Sequence, residues 1–192
     1  MKQETLRDLL VEQIQDLYDA ERQLVKALPK MAEAADSSDL AEAINGHLAE
    51  TESQVSRLEE VFGTLGVKAK SKTCKAMKGL IEEGEEALKK EEGDIRDLAI
   101  IAAAQRVEHY EISAYGTART IAERLGLDDA AELLQQTEDE EEQADSKLSD
   151  VADAIYDASE ELEDEAEDVD EEADEEVVAE KPVTRTSRSG GK

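Results

Sequence analysis

The chain has 192 residues, of which 39% are apolar, 3% aromatic and 38% charged, and its formal net charge is −29. This length can bury one good core, and the scarcity of aromatic residues, glycine and proline predicts an aliphatic core and an all-α fold. The single cysteine, Cys74, excludes an intramolecular disulfide and a cysteine-based zinc site.

The N-terminus gives no sign of export. Its first ten residues, MKQETLRDLL, lack the apolar core of a signal peptide. No apolar run in the chain approaches the roughly 18 residues that a membrane span requires. We therefore expect a soluble protein of the cytoplasm, with no membrane as a partner.

The first two helices form a pair with a short turn. Helix A is expected to end near Pro29 and to be followed by a short helical piece, KMAEAAD. Ser37, Ser38 or Asp39 can begin helix B, which should run to about Phe62. The apolar side chains of helix A keep helical spacing: Leu6, Leu10, Ile14, Leu17, Leu24 and Leu28.

A long connection separates this pair from a second pair. It covers residues 67–93 and should contain a short helix of its own around 74–90. Helix C is predicted over 94–125, and Asp129 can open helix D. Two helix pairs joined by one long crossover have the connectivity of a ferritin-like four-helix bundle, which we expect over residues 1–158.

The C-terminal part, residues 159–192, is expected to be an acidic, disordered tail. Residues 1–137 carry 28 acidic and 17 basic side chains, a net −11, whereas residues 138–192 carry 23 and 5, a net −18. Such dense like charge predicts a solvated segment, at best an extended frayed helix, that could bind a basic partner.

This negative field also bears on partners and source. It repels nucleic acid phosphates and anionic membranes, so we expect neither as a partner. An acidic surface suits a salt-rich cytoplasm, and a halophilic source is our hypothesis.

Several acidic side chains lie on apolar helix faces. At about 100° per residue, Glu108 and Glu111 point into the stripe of helix C. Glu21 lies on the stripe of helix A, and Glu141 lies on that of helix D with Asp145 on the same side. Helix B is less regular: His47 and Gln54 flank its stripe, and Glu50 lies further round.

These inward acids need positive charge. Burying an unpaired carboxylate costs several kcal/mol, roughly, and no lysine or arginine has central core spacing, since Arg57 and Arg119 lie at the margins. Two divalent metal ions held by carboxylates and a histidine would supply the positive charge that these acids need. The alternative for each acid taken singly is a margin position that reaches solvent.

Four segments carry a family resemblance. They read DLYDAERQLVKALPKMAEAA, HLAETESQVSRLEEVFGTLG, CKAMKGLIEEG and AQRVEHYEISAYGTARTIAERLG. Over residues 4–157 the chain resembles the YciE/YciF-type ferritin-like family. The resemblance implies a rubrerythrin-like bundle with an extra helix, a homodimer and an association with stress responses.

The resemblance also implies a ligand set. Rubrerythrin-like sites take a glutamate from helix A, matching Glu21, and a Glu-x-x-Glu pair from helix C, matching Glu108 and Glu111. On helix B the match is Glu50, with His47 one turn before it. The Glu-x-x-His motifs of helices B and D are absent here, which favours manganese or a weakly held iron pair. The four cysteines of a rubredoxin electron relay are absent too.

Two functions from different classes follow. The first is a dimeric stress protein whose dinuclear iron or manganese site performs redox chemistry with dioxygen or peroxide. The second is a non-catalytic helical stress scaffold without bound metal, in which the inward acids are protonated or linked to solvent. Iron storage in a large cage is a weaker third. The candidate metal ligands are Glu21, His47, Glu50, Glu108, Glu111, Glu141 and Asp145.

Overall fold

The described part of the chain is helical throughout. The computed structural model describes the backbone of residues 5–179 and the side chains of residues 5–159. It contains helices and no strand over that range, which confirms the predicted all-α class. In chain order the helices are α1 (Leu6–Ala34), α2 (Ser38–Thr64), α3 (Lys75–Ala87), α4 (Asp94–Arg124) and α5 (Asp128–Ala179).

Helix α1 does not end where the sequence predicted. It begins at a capping box between Thr5 and Asp8 and continues through Pro29 to Ala34. The predicted end near Pro29 and the separate KMAEAAD piece are therefore wrong. A proline inside a helix removes one backbone hydrogen bond and costs about 3 kcal/mol. Continuing the helix buries Ala32 and packs Met31 and Ala34 against the core, which offsets part of that cost.

Apart from the C-terminal end of α5, the other helix ends agree with the sequence to within a few residues. Ser37 caps α2, its side chain accepting a hydrogen bond from the Leu40 N–H. Helices α2 and α4 are each followed by a glycine in the left-handed region, Gly66 at φ 63° and Gly126 at φ 66°. Glycine is the residue that adopts this conformation without steric cost, so these two positions stop the helices.

Side-chain contacts define the packing of the four long helices. Tyr18 of α1 donates to Glu59 of α2 at 2.7 Å. Arg57 of α2 binds Glu140 of α5 at 2.7 Å, and Arg119 of α4 binds Glu138 of α5, also at 2.7 Å. Helices α1 and α2, and likewise α4 and α5, are neighbours, and the crossover between α2 and α4 carries α3.

The bundle contains two apolar clusters separated by a polar layer. The first cluster includes Leu17, Leu58, Tyr115 and Leu134, and the second includes Leu24, Ile44, Val107 and Leu148. On each of the four long helices, buried polar residues lie between a residue of the first cluster and a residue of the second. The four helices therefore bring their polar side chains to one level.

The crossover helix α3 is anchored through its N-cap, Cys74. The Cys74 N–H donates to Asp19 of α1 at 3.0 Å, and Gln23 of α1 donates to the Cys74 carbonyl at 3.1 Å. The buried Cys74 sulfur lies 3.0 Å from the Tyr110 hydroxyl of α4, and Tyr110 also donates to Asp16 at 2.8 Å. These contacts tie α3 to both α1 and α4.

The chain divides into two units, of which the first, Met1–Ile155, contains the polar layer and both apolar clusters. Helix α5 extends to Ala179, into the segment expected to be a tail. Residues 180–192 lie outside the described residues, and the predicted boundary after residue 158 stays a prediction. Within the described range, no helix combines the length and the apolar character needed to cross a membrane.

Candidate metal centre

The polar layer consists of five buried residues from four helices: Glu21, His47, Glu108, Glu111 and Glu141. Glu108 and Glu111 are three residues apart on α4, so both face the same side of that helix. Glu21, His47 and Glu141 come from α1, α2 and α5. The sequence predicted that the four glutamates face the interior and that His47 flanks its apolar stripe, and in the structure all five side chains are buried.

Four of these residues converge closely. His47, Glu108, Glu111 and Glu141 each offer one ligand atom, and these atoms lie within 4.8 Å of one another. His47 Nε2 lies 3.6 Å from Glu108 Oε2 and 3.7 Å from Glu141 Oε2. Donors of one ion each lie about 2.0–2.2 Å from it, so opposite donors are separated by at most roughly 4.4 Å. The observed spacing is close to that of a shared ion.

The polar layer is rich in buried atoms that lack a hydrogen-bond partner. Within the described residues these atoms are Oε2 of Glu21, Oε2 of Glu108, both carboxylate oxygens of Glu111 and Glu141, and both ring nitrogens of His47. Buried polar groups in proteins are almost always satisfied, and each exception requires an explanation. Metal ions bound by these atoms would satisfy them, so the residues fit such a group.

The nearby arginines do not neutralise the layer. Arg57 is bound to Glu140 through two nitrogens, at 2.7 and 2.8 Å, and to Thr137 at 2.6 Å. Arg119 binds Glu138 and Glu123, both at 2.7 Å. Among the described residues, no lysine or arginine forms an ion pair with a carboxylate of the polar layer. The margin positions that the sequence predicted for both arginines agree with these contacts.

Burial and mutual repulsion hold the carboxyls in their neutral form when no ion is bound. Burial is the main cause that raises the pKa of Glu21 to about 8, and the Glu141 carboxylate adds to it. Burial likewise raises the pKa of Glu108 to about 8. Burial and neighbouring acids raise the pKa values of Glu111 and Glu141 well above the usual range. Ions that bind here must displace protons.

The pKa of His47 is set by opposing effects. Burial lowers it, but Glu50, Glu141 and Glu21 outweigh burial and raise it. A histidine must be neutral to bind a metal, so the raised pKa of His47 makes ion binding more favourable as the pH rises.

Tyr115 also belongs to the site. The fully buried hydroxyl of Tyr115 donates a hydrogen bond to Glu21 Oε1. Tyr115 lies four residues after Glu111 on the same stripe of α4, and that spacing is the signal that could have identified it. The bond fixes one oxygen of Glu21 and leaves the other without a hydrogen-bond partner.

Three of the seven candidate ligands lie outside the converging group of four: the buried Glu21 of α1, and the partly exposed Glu50 and Asp145. The side chain of Glu50 is 54% exposed, and its Oε2 lies 3.6 Å from His47 Nδ1. Asp145 is 25% exposed, and its Oδ2 lies 3.2 Å from Nε2 of the exposed His109. Glu50 therefore contacts His47 Nδ1, the ring nitrogen that points away from the converging group. Asp145 contacts His109 at the edge of the bundle.

The inward positions on α2 that follow His47 are Thr51 and Gln54, both fully buried. Thr51 donates to the His47 carbonyl at 2.9 Å, and Gln54 donates to Glu140 at 3.2 Å. The resemblance matched the helix B glutamate to Glu50, one position before Thr51. One residue turns a helix by about 100°, which moves Glu50 away from the centre.

Comparisons with known proteins agree on one family. A family described as "Domain of unknown function (DUF892)" matches residues 5–178. Protein YciF of Escherichia coli K12 is 45% identical over 154 residues, which are 79% of this chain and 93% of that protein.

Two solved structures are similar over most of their length. The crystal structure of the E. coli stress protein YciF has a TM-score of 0.78 and 43% identity, covering 81% of this chain and 99% of that one. YcfI from Rhodopseudomonas palustris, whose description suggests a structural protein, has a TM-score of 0.74 and 45% identity over 76% of this chain and 94% of that one. This similarity supports the ferritin-like fold.

Proposed function

The chain belongs to the DUF892 family, and we propose that its polar layer binds two divalent ions, iron or manganese, for redox chemistry with dioxygen or peroxide during stress. The observation that supports this most directly is the set of buried carboxylate and imidazole atoms without a hydrogen-bond partner. The association with stress rests on the similarity to YciF, which is described as a stress protein.

Charge balance supports two ions. The polar layer contains four glutamates, Glu21, Glu108, Glu111 and Glu141. When ionised they carry four negative charges, and two divalent ions carry four positive charges, while His47 is neutral. One divalent ion would leave two carboxyls that must stay protonated in a buried site. Oxygen-rich sites with one imidazole suit iron and manganese better than softer metals.

The chain's own residues would prepare the site in three ways. Glu50 lies at His47 Nδ1, an outer contact that would orient the ring with Nε2 towards Glu108 and Glu141. Tyr115 holds one oxygen of Glu21. The apolar clusters on either side shield the layer from bulk water along the length of the bundle. The bound ions would supply two adjacent centres that exchange electrons with an oxidant.

Metal loading tests this proposal. Full-length protein is incubated without oxygen with Fe(II) or Mn(II), and bound metal per chain is measured after removal of free ions. We expect about two ions per chain. Glu111→Ala should reduce this number, whereas the exposed Glu142→Ala, a control on α5, should leave it unchanged. A stoichiometry near zero for both metals, unaffected by Glu111→Ala, contradicts the proposal.

A non-catalytic helical scaffold is the second candidate. Its support is the absence of the Glu-x-x-His motifs, the raised pKa values of the inward acids and the structural role that the description of YcfI suggests. Thermal unfolding with and without metal separates the two functions. A ligand that binds the folded state alone must raise the unfolding temperature, and a scaffold without a metal site shows no such rise.

The expectations about assembly and source stay predictions. They are a homodimer, a basic partner for the acidic tail and a halophilic source. Light scattering on the purified protein measures the first, and pull-down with basic peptides measures the second. A melting temperature that rises steadily with molar KCl would support the third.

A further inference from the structure

A cavity leads from the protein surface to the polar layer. Its volume is about 260 Å³, and it lies between α1, α2, α4 and α5. The buried His47 and Glu108 line its inner end, and the exposed Glu50, Gln143 and Lys147 line its mouth. The walls between them are mainly apolar: Leu28, Met31, Ile44, Ala104 and Leu148.

The size and the walls of this cavity suit an aliphatic chain. An apolar cavity of about 150 Å³ can hold a benzene molecule, so one of 260 Å³ takes a chain of several carbons. Drug-sized ligands occupy pockets of roughly 300–1,000 Å³, which sets the upper limit on the ligand. Transfer of each CH₂ group from water into such walls is favourable by about 0.8 kcal/mol.

The charges along the cavity give the ligand a direction. Lys147 at the mouth forms no ion pair within the described part of the chain; its charge acts at longer range on Glu50, which lies against His47. Lys147 is the only lysine or arginine among the residues that line the cavity, and none lies at the inner end with His47 and Glu108. An anionic head group is therefore favoured at Lys147 only, with an apolar tail pointing inwards.

We propose that this cavity binds a medium-chain monocarboxylate, with the carboxylate at Lys147 and the alkyl chain directed towards His47 and Glu108. This identifies the class of organic substrate for the proposed metal centre. Its catalytic meaning rests on that proposed function, but the binding itself needs no metal.

Calorimetric titration with octanoate tests the proposal on full-length protein, both as purified and after chelation. We expect saturable binding in both forms. Hexanoate should bind roughly fifteenfold more weakly than octanoate, because each lost methylene costs about fourfold. Lys147→Gln should weaken octanoate binding up to about fivefold and leave octanol binding unchanged.

Gly46→Leu provides an independent variant that closes the mouth. A Cβ at Gly46 would meet only the Lys147 ammonium, at 3.9 Å, so the larger side chain fills the mouth without a backbone clash. It should abolish binding, whereas Gly63→Leu, in the same helix and in open space, should retain it. Circular dichroism confirms that both variants are helical.

Three results would overturn the proposal: no binding of octanoate, equal binding by wild type and Gly46→Leu, or a preference for octylammonium over octanoate. Because binding is measured in the chelated protein as well, failure to load metal leaves the proposal standing. Conversely, failure to bind octanoate leaves the metal centre standing.

Discussion

Raising the pH should destabilise the metal-free protein. The pKa of Glu21 and that of Glu108 are about 8 in the folded protein and 4.5 in an ordinary glutamate. Between those values the folded state holds protons that the unfolded chain has released. The contribution of these protons to the free energy of unfolding is therefore fully present below about pH 4.5 and is lost as the pH rises towards about 8. The raised pKa of His47 acts in the same direction above its ordinary value of 6.5.

The size of the effect follows from the number of extra protons. Each extra proton in the folded state lowers the free energy of unfolding by about 1.4 kcal/mol for every pH unit of increase. Glu21 and Glu108 influence each other, so one extra proton is the minimum, which gives a loss of about 3 kcal/mol between pH 5 and pH 7. For a chain of this length that lowers the unfolding temperature by roughly 6–12 °C.

Thermal unfolding of chelated protein, followed by circular dichroism from pH 5 to pH 8, measures this slope. Glu108→Gln should reduce it by up to one proton's contribution, and the exposed Glu142→Gln should not. Saturating metal should remove or invert the slope, because ions displace the protons. An unfolding temperature that stays constant or rises with pH in the chelated protein would refute the idea that the glutamates of the polar layer are buried without counter-charge.

Three further predictions concern single side chains. Glu141→Ala should lower the affinity for Mn(II) at least tenfold in calorimetric titration, while Glu142→Ala, one residue away and exposed, should leave it within twofold. Tyr115→Phe should lower metal affinity by about ten- to a hundredfold, because Glu21 loses the hydrogen bond that orients it. An unchanged affinity would show that Tyr115 does not support metal binding. Pro29→Ala should raise the free energy of unfolding in urea by about 1–3 kcal/mol, since α1 is helical on both sides of Pro29, and a loss of stability would contradict this.

The sequence predicted the centre of the bundle well because both signals there are periodic. Apolar stripes located the four long helices, and the same spacing placed Glu21, Glu108, Glu111 and Glu141 on the inward faces. When an apolar stripe is buried, a carboxylate side chain on the same helix face must also point into the interior. The burial of these four glutamates on α1, α4 and α5 follows from this.

The sequence was less informative where tertiary contacts determine the end of a helix or the contacts of a side chain. Pro29 is a local signal for a helix end, but the packing of Met31 and Ala32 against the core favours continuation of α1 beyond it. On α2 the helical spacing had put Glu50 further round than the apolar stripe, in agreement with its exposure, and the family resemblance alone matched it to a ligand. The bond between Tyr115 and Glu21 joins two helices distant in sequence, and no local pattern contains it.

The central claim is that cations neutralise the polar layer. Diffraction from crystals loaded with Fe(II) or Mn(II), recorded at the absorption edge of each metal, tests it directly. We expect two anomalous peaks among Glu21, His47, Glu108, Glu111 and Glu141, with donor atoms at about 2.0–2.2 Å. The contrary result is a map without peaks, in which these carboxyls share protons with one another or turn outwards to water.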